Sequence, residues 1–527
     1  MPGPYHTPGV YIEEIPSGSR PIQGVSTSIA AFLGVTEKCP VDESGATLLG
    51  RPFLVTSWDQ YTEYFGGYPE GAMLPVAVRG FFENGGGICY VESLMTAGAP
   101  AARGNGAPAR PTLQLPSRAA GGAPALELES KVSEPVTVIV SDASEPGEDL
   151  FKVVVRSAGG QEETYDNVTF NRGREVRNVV QALQRSKLVA VREIENPAPL
   201  AERRPAASTY TLPAPLAAPA QAPAKSITEL AQGNLDDRVG LDGLEAITEI
   251  TMVCMPDIME MQRTGKISME DAIGLQSALI AHCEKMGDRM AILDAPYGMK
   301  VQQVKEWRTA KANYSSKFAA LYYPWIVIQN PRGRGQIAAP PSGFMAGIYA
   351  RVDSERGVHK APANEVVRLA TDLELQVTDR EQALLNPVGV NCIRAFPGRG
   401  IRVWGARTLD DPAGEWRYIN VRRLFNYIEE SIFEGTQWVV FEPNDMDLWE
   451  RVKRTVSAFL TGLWRDGMLF GATPEEAFYV RCDAALNPPS SRDRGELHVE
   501  VGIAPVKPAE FVVFRFKQLP GGGEISE

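Results

Sequence analysis

The 527-residue sequence is short of the side chains that usually carry chemistry. It has four histidines, no two of them at metal-ligand spacing. Its six cysteines, Cys39, Cys89, Cys254, Cys283, Cys392 and Cys482, are widely spaced and form no CxxC pair. That argues against a zinc site or a disulfide framework, and for scattered buried thiols in a reducing compartment. Positive charge is not in excess: 53 Lys and Arg stand against 65 Asp and Glu, a net charge of −12. A general nucleic-acid coat is thereby excluded, although local basic patches are not. The longest strongly apolar run, Phe318 to Pro331, is too short to span a membrane, and the uncharged run between Arg204 and Lys225 is broken by prolines. The opening Met1–Val10 has neither a basic n-region nor an apolar h-region. The chain is therefore expected to be made in the cytoplasm and to be soluble, with no standard export signal.

What is present is a globular composition, 44% hydrophobic and 22% charged, rich in Gly (49) and Pro (40). The length suggests two to four domains. Ala97–Pro124 is mostly Ala, Gly and Pro, and Pro197–Lys225 mostly Ala and Pro; both read as linkers. Between them lie strand-like runs at Val136–Val140, Phe151–Val155, Thr164–Phe170 and Leu188–Val191, and a helix around Glu175–Arg185. This is a small α+β module inserted in another domain.

From Gly240 onward the pattern is strand–helix–strand–helix–strand. Ile250–Met255, Met290–Leu293 and Leu321–Ile328 are apolar strands. Ser268 and Asp271 form a capping box for a helix that Gly287 ends, and a second helix lies near Val301–Thr309. Buried strands alternating with helices predict an α/β core with a parallel or mixed sheet. Asn420 is expected to cap a helix over Val421–Glu434, and Asp445 a helix through Asp466. Extended runs follow at Leu497–Ile503 and Phe511–Phe516.

An α/β sheet invites a search for an active site. The Gly265-Lys266-Ile267 string is not a phosphate-binding loop, Gly398-Arg399-Gly400 and Gly333-Arg334-Gly335 do not continue as dinucleotide fingerprints, and there is no GxSxG. Asp257 and Asp294 follow strand ends, where a metal-dependent enzyme would place carboxylates; Asx-turns or helix caps explain them as well. His282 beside an apolar helix face reads as a structural histidine. Charge is patterned late in the chain. Arginines 394, 399, 402, 407, 417, 422 and 423 outnumber their acidic neighbours, and an acidic run from Glu429 to Glu450 follows. Such runs are either solvated faces or complementary docking surfaces.

Four strings carry a resemblance. They are Pro8–Pro16 with Val25–Gly34, Pro341–Asp353 with Arg356–Asn364, Asn386–Asn391 with Gly398–Thr408, and Gly502–Phe511. Together they resemble the contractile tail sheath family of myophages and phage-tail-like injection systems. The resemblance implies a structural protein, not an enzyme, with no cofactor and no metal. It implies stacked hexameric rings around an inner tube, whose contraction drives the tube through a target envelope. The implied partners are further copies of the chain, the inner tube protein, and baseplate and terminal cap proteins, with no nucleic acid and no direct membrane insertion. The implied place is an assembled particle, with lysis as a route of release. Residues 1–28 are then an N-terminal arm, 29–96 and 226–527 the sheath core with a C-terminal arm at 504–527, and 97–225 an inserted variable outer domain. A metal-dependent enzyme using Asp257 and Asp294, or a tail-associated binding module, is the alternative. Two sets of site residues follow. Val10, Tyr11, Ile12, Ile15, Phe511, Val512, Val513, Phe514 and Phe516 are expected to link subunits as exchanged strands. Arg422, Arg423, Arg451, Lys453 and Arg454 are expected to contact the inner tube.

Overall fold

A computed structural model describes residues 21–42, 45–97, 112–118, 123–132, 134–171, 173, 177–194, 196, 199–212 and 226–515. By its internal contacts the chain divides into two units, one of residues 1–99 with 226–527 and one of residues 100–225.

The first unit is built on an eight-stranded mixed sheet. Its strands are β1 (Ala30–Thr36), β2 (Pro52–Val55), β3 (Cys89–Thr96), β4 (Met252–Cys254), β5 (Met290–Asp294), β6 (Ala319–Tyr323), β7 (Val390–Phe396) and β8 (Gly400–Val403). In space they run β8-β7-β6-β5-β4-β1-β3-β2. The six central strands are parallel, and β2 and β8 pair antiparallel at the two edges. All seven residues of β1 are buried, as a strand covered on both faces requires. Alternate residues feed two separate cores. Phe32, Met252, Ile292 and Tyr322 face one; Leu33, Val253, Leu293 and Leu321 face the other.

Five helices matter most: α1 (Leu74–Glu83), α2 (Met269–Met286), α3 (Ser342–Arg356), α4 (Ile419–Gly435) and α5 (Met446–Arg465). Helix α2 has the expected Ser268–Asp271 capping box and ends at Gly287 in the left-handed region. It packs on one sheet face, and α1 and α3 on the other. Gly343 in the first turn of α3 meets Ala77 in α1 so closely that any Cβ would collide, which explains a glycine at this position. Helices α4 and α5 form a further core with the hairpin Phe478–Arg481/Glu500–Ile503 through Leu424, Ile428, Trp449, Val452 and Leu460.

The second unit has its own core. One sheet orders Val189–Glu193, Pro124–Ser130 and Thr112–Pro116; the other orders Ser208–Leu212, Val136–Asp142, Phe151–Ser157, Glu162–Thr169 and Arg177–Asn178. Asn178 caps the short helix Val179–Leu183.

Several expectations change. The supposed linkers contain the strand Thr112–Pro116, the helix Leu200–Arg203 and the strand Ser208–Leu212, because Ala- and Pro-rich flanks hid short strands that are held by their partners, the next strand Pro124–Ser130 for the first and the distant Val136–Asp142 for the last. The run Leu321–Ile328 splits at Pro324 into β6 and a strand Ile326–Gln329 of another sheet. Helix α4 starts at Ile419 with no side-chain cap; Asn420 instead donates to the carbonyls of His359 and Val506. Residues 21–27 and 506–510, read as parts of arms, lie against the body: Ile22 is buried in the α4–α5 core, and Glu510 is bonded to three side chains.

Asp257 and Asp294 are 2% and 3% exposed and serve as strand-to-helix ties, not as an open carboxylate pair. Asp257 accepts from the backbone N–H of Val35, Met73 and Leu74, joining the end of β1 to the start of α1. Asp294 accepts from the Ser342 N–H and hydroxyl, both at 2.7 Å, at the first turn of α3. Burial pushes Asp257 up to about 6 and Asp294 up to about 7, against the pull of those donors. Among the described residues no cluster of three metal-ligating side chains occurs. Both carboxylates are thus buried and occupied by donors from neighbouring elements, the structural reading of the pair.

Two outcomes are expected. All eight tryptophans lie outside residues 100–225, so tryptophan fluorescence reads the first unit alone. Asp294→Ala strips a buried N–H and hydroxyl of their acceptor and should cost about 1–3 kcal/mol in a urea titration. Asp294→Asn keeps an oxygen to accept from the N–H and places an amide N–H that can donate to the Ser342 hydroxyl, and should cost less. The folded state binds the Asp294 proton more tightly than the unfolded chain, so wild-type stability from this group is fullest at low pH and falls as pH rises toward 7. The Asn variant should accordingly gain on wild type between pH 5 and pH 8; an unchanged difference refutes the assignment. Second, replacing residues 100–225 by a short Gly/Ser loop should leave the tryptophan-monitored transition of the first unit cooperative. Loss of all soluble protein is the contrary result.

Candidate functional site: surfaces and chain ends

Phe511, Val512, Val513 and Phe514 are each at least 68% exposed, and residues 511–515 form no strand in this chain. Four consecutive exposed apolar side chains outside any strand among the described residues are unusual on a protein surface. Val10, Tyr11, Ile12, Ile15 and Phe516 lie outside the described residues.

The five basic candidates separate into two groups. Arg422 and Arg423 are buried, a correction to their reading as surface contacts. Arg422 bonds Asn426 and Glu429 and lies over the rings of Trp416 and Phe318, at 4.4 and 4.9 Å. Arg423 pairs with Asp353 and lies over Tyr349. Both sit on the inward face of α4, where the stripe of Val421, Leu424 and Ile428 leaves room for guanidinium groups only if they are paired. Arg451, Lys453 and Arg454 stay on the outer side of α5. Arg451 lies over Trp438 at 4.7 Å, Lys453 reaches Glu450, and Arg454 has no ion pair among the described residues.

Sequence reasoning missed two features. The first is an exposed apolar ridge before and at the start of α5: Phe433, Val440, Phe441 and Met446. Phe441 is fully exposed at φ +68°, a conformation rare for a bulky residue. A Val-Val-Phe run inside an acidic stretch was the available signal. The second is the binding of Glu510. Its carboxylate accepts from Asn386 Nδ2 at 2.7 Å, Arg407 Nε and NH2 at 3.0 and 2.8 Å, and the Tyr418 hydroxyl at 2.9 Å. Burial opposes its ionisation, but Arg407 and Asn386 outweigh burial and hold the carboxyl below its ordinary value. Nothing local in the sequence marks this, because Asn386, Arg407 and Glu510 are far apart in the chain.

His282 faces the Arg289 guanidinium, and burial with that charge pushes it down to about 4. The six cysteines are free, five buried and Cys39 partly so, and burial raises every thiol. Among the described residues no helix is long and apolar enough to cross a membrane.

Comparison with known proteins follows the same lines. Residues 243–409 match the phage tail sheath protein central domain, and residues 411–518 the phage tail sheath C-terminal domain. The tail sheath protein of Vibrio phage KVP40 is 28% identical over 257 residues, 45% of this chain and 36% of that protein. That of Burkholderia phage BcepMu is 28% identical over 265 residues, 47% of this chain and 54% of its own. The chain thus spans about half or less of the length of these relatives. The anti-feeding prophage helical sheath in its contracted state is similar at 26% identity and a TM-score of 0.58, covering 98% of this chain and 99% of that one. The sheath of an extracellular contractile injection system (PVC), also contracted, shares the fold at 24% identity and a TM-score of 0.58, covering 98% of both chains. The two matched domains run almost without a break through the sheet strands β4 to β8 and the α4–α5 core, and the chain belongs to the phage tail sheath family, whose members are structural proteins and not enzymes.

Proposed function

We propose that the chain is the subunit of a contractile sheath. It polymerises with copies of itself as stacked hexameric rings around an inner tube and, by shortening, drives that tube through a target envelope. The observation that carries this is the end-to-end likeness to a helical sheath caught in its contracted state. The sheath binds the inner tube protein along its bore and baseplate and cap proteins at its ends; a likeness to a chain of the anti-feeding prophage baseplate, at 25% identity and a TM-score of 0.56, supports the first of these end contacts. The particle acts outside the cell that made it.

In this reading the chain ends are exchanged strands. Val10, Tyr11, Ile12 and Ile15 form one and Phe511, Val512, Val513, Phe514 and Phe516 the other. The exposed Phe511–Phe514 run supports it, because such a segment needs a sheet edge and a neighbouring copy offers one. Flexible links of this kind let rings move without parting. Arg451, Lys453 and Arg454 on α5 face the tube, beside the apolar ridge at Phe441, and give register through charge. The unit of residues 100–225 faces outward as the variable domain; its position outside both matched family domains supports this.

Negative-stain microscopy of the purified full-length chain is expected to show hollow cylinders. Deleting residues 1–18, or 511–527 so that Glu510 stays in place, should leave circular dichroism unchanged and the protein monomeric in sedimentation. Normal cylinders from either truncation would sink strand exchange. Reversing Arg451, Lys453 and Arg454 to Glu should give sheaths that form without a tube when the tube protein is co-produced, and the wild-type association should weaken with salt. Tube-filled extended particles in ordinary yield from the reversed variant would refute the assignment.

A further inference from the structure

Glu92 is a carboxyl set inside the sheet of the first unit. It stands on β3 opposite Leu33 of β1 and Pro52 of β2, is 1% exposed, and shares the face of Leu33. Leu241 and Leu244 of the short helix Gly240–Leu244 line the same core. The Glu92 Oε1 accepts from the Gly240 N–H at 2.6 Å, an N–H that also reaches the Gly50 carbonyl at 3.0 Å. Its Oε2 is buried with no hydrogen-bond partner. Asp257 and Asp294 are better served, with three donors and two. The turn that Glu92 holds is tight. Asn234 and Val239 exchange backbone bonds at 2.9 and 3.1 Å. Gly233 and Gly240, at φ +69° and +68°, touch so closely that a Cβ on either would collide. This turn lies where the chain resumes the first unit after residue 225.

We infer that Glu92 is a protonation latch: as the neutral acid it clamps the turn of residues 233–240 to β3, and on losing its proton it drives that turn off the sheet. The inference concerns the single chain and does not rest on the sheath reading. Its ground is the absence of any compensation for a charge. Leu33 and Pro52, on either side, are apolar. The charged groups of the adjoining segments, Arg51, Glu229, Asp236, Asp237, Arg238 and Asp242, form no ion pair with Glu92; all but Asp242 are exposed, and Asp242 accepts from Gln232. Helix α2, which covers the same core, turns Glu270, Asp271, Glu284 and Lys285 to solvent, and the buried His282 and Arg289 engage each other. An ionised Glu92 would therefore be a buried charge with one shared donor, a state that a protein leaves by neutralising the group or by letting water in. Burial pushes the carboxyl up to about 8, and the Gly240 N–H is the donor that pulls the other way. The proton is held while the turn is closed and shed when the turn opens to water. Opening thus becomes about tenfold more frequent for each pH unit from the ordinary carboxyl range up to about 8, then levels off. The clamp is complete in acid and is lost as pH rises.

The test is hydrogen exchange on the full-length chain, read over residues 233–244 and corrected for the intrinsic pH dependence of amide exchange. From pH 6 to pH 8, opening of this segment in wild type should rise by roughly tenfold or more. Glu92→Gln keeps an acceptor for the Gly240 N–H and cannot ionise, so its opening should stay within about twofold over the same range. Glu92→Leu has no acceptor and should exchange fast at both pH values. The amides of β5 and β6 should follow one course in wild type and in the Gln variant. Isotope-edited infrared spectroscopy of the wild-type chain with labelled glutamate reads the proton without any substitution: a protonated carboxyl band is expected at pH 6 and should fade by pH 9. Equal pH dependence in wild type and Glu92→Gln, an acceleration shared by β5 and β6, or no such band at pH 6 would each overturn the latch.

Discussion

A parallel sheet cannot leave a face to water without wasting its apolar strands, and the coverage of both faces of β1 to β8 is the constraint that orders the rest of the molecule. It requires helices on two sides, and the helices must start at fixed heights above the strand ends. Asp257 and Asp294 set those heights by tying the start of α1 to β1 and the start of α3 to β5. It requires α1 and α3 to share one face, which Gly343 permits by letting two backbones touch. It also explains how the chain is interrupted. β1 pairs with β3 on one side and β4 on the other, so the segments before and after residues 100–225 make one sheet, and the second unit is carried between β3 and β4.

The α/β core was legible from residue 240 onward because its signals are local: the Ser268–Asp271 box, the Asp445 cap and short apolar runs at Met290 and Ile250 all mark elements within a few residues. The second unit was legible where its strands alternate, at Val136–Asp142 and Phe151–Ser157. It was illegible where Pro and Ala dilute the pattern, as at Thr112–Pro116, since a short strand gains its stability from a partner rather than from its own composition. The end of β6 was missed for the opposite reason: an apolar run continuous through Pro324 hides a change of sheet.

The candidate site was legible only in part. Exposed apolar ends could be read from alternation near Phe511. The fate of the arginines could not, because position in a charge run does not say whether a neighbour turns the side chain inward. Arg422 and Arg423 are placed by the amphipathic stripe of α4, and only the presence of Glu429 and Asp353 makes that burial tolerable. Arg407 is claimed by Glu510 more than a hundred residues later. Part of what looked like docking charge, at Arg407, Arg422 and Arg423, is internal fastening.

The cysteines carry a last consequence. Five of the six thiols are buried and burial favours their protonated form, so those five react slowly with oxidants and with one another. A protein assembled where thiols are kept reduced and then exposed to an oxidising medium risks accidental covalent bridges between copies. Such bridges would freeze a lattice whose working depends on neighbours changing their contacts. In the proposed sheath, the five buried thiols leave neighbouring copies free to rearrange after such a change of medium.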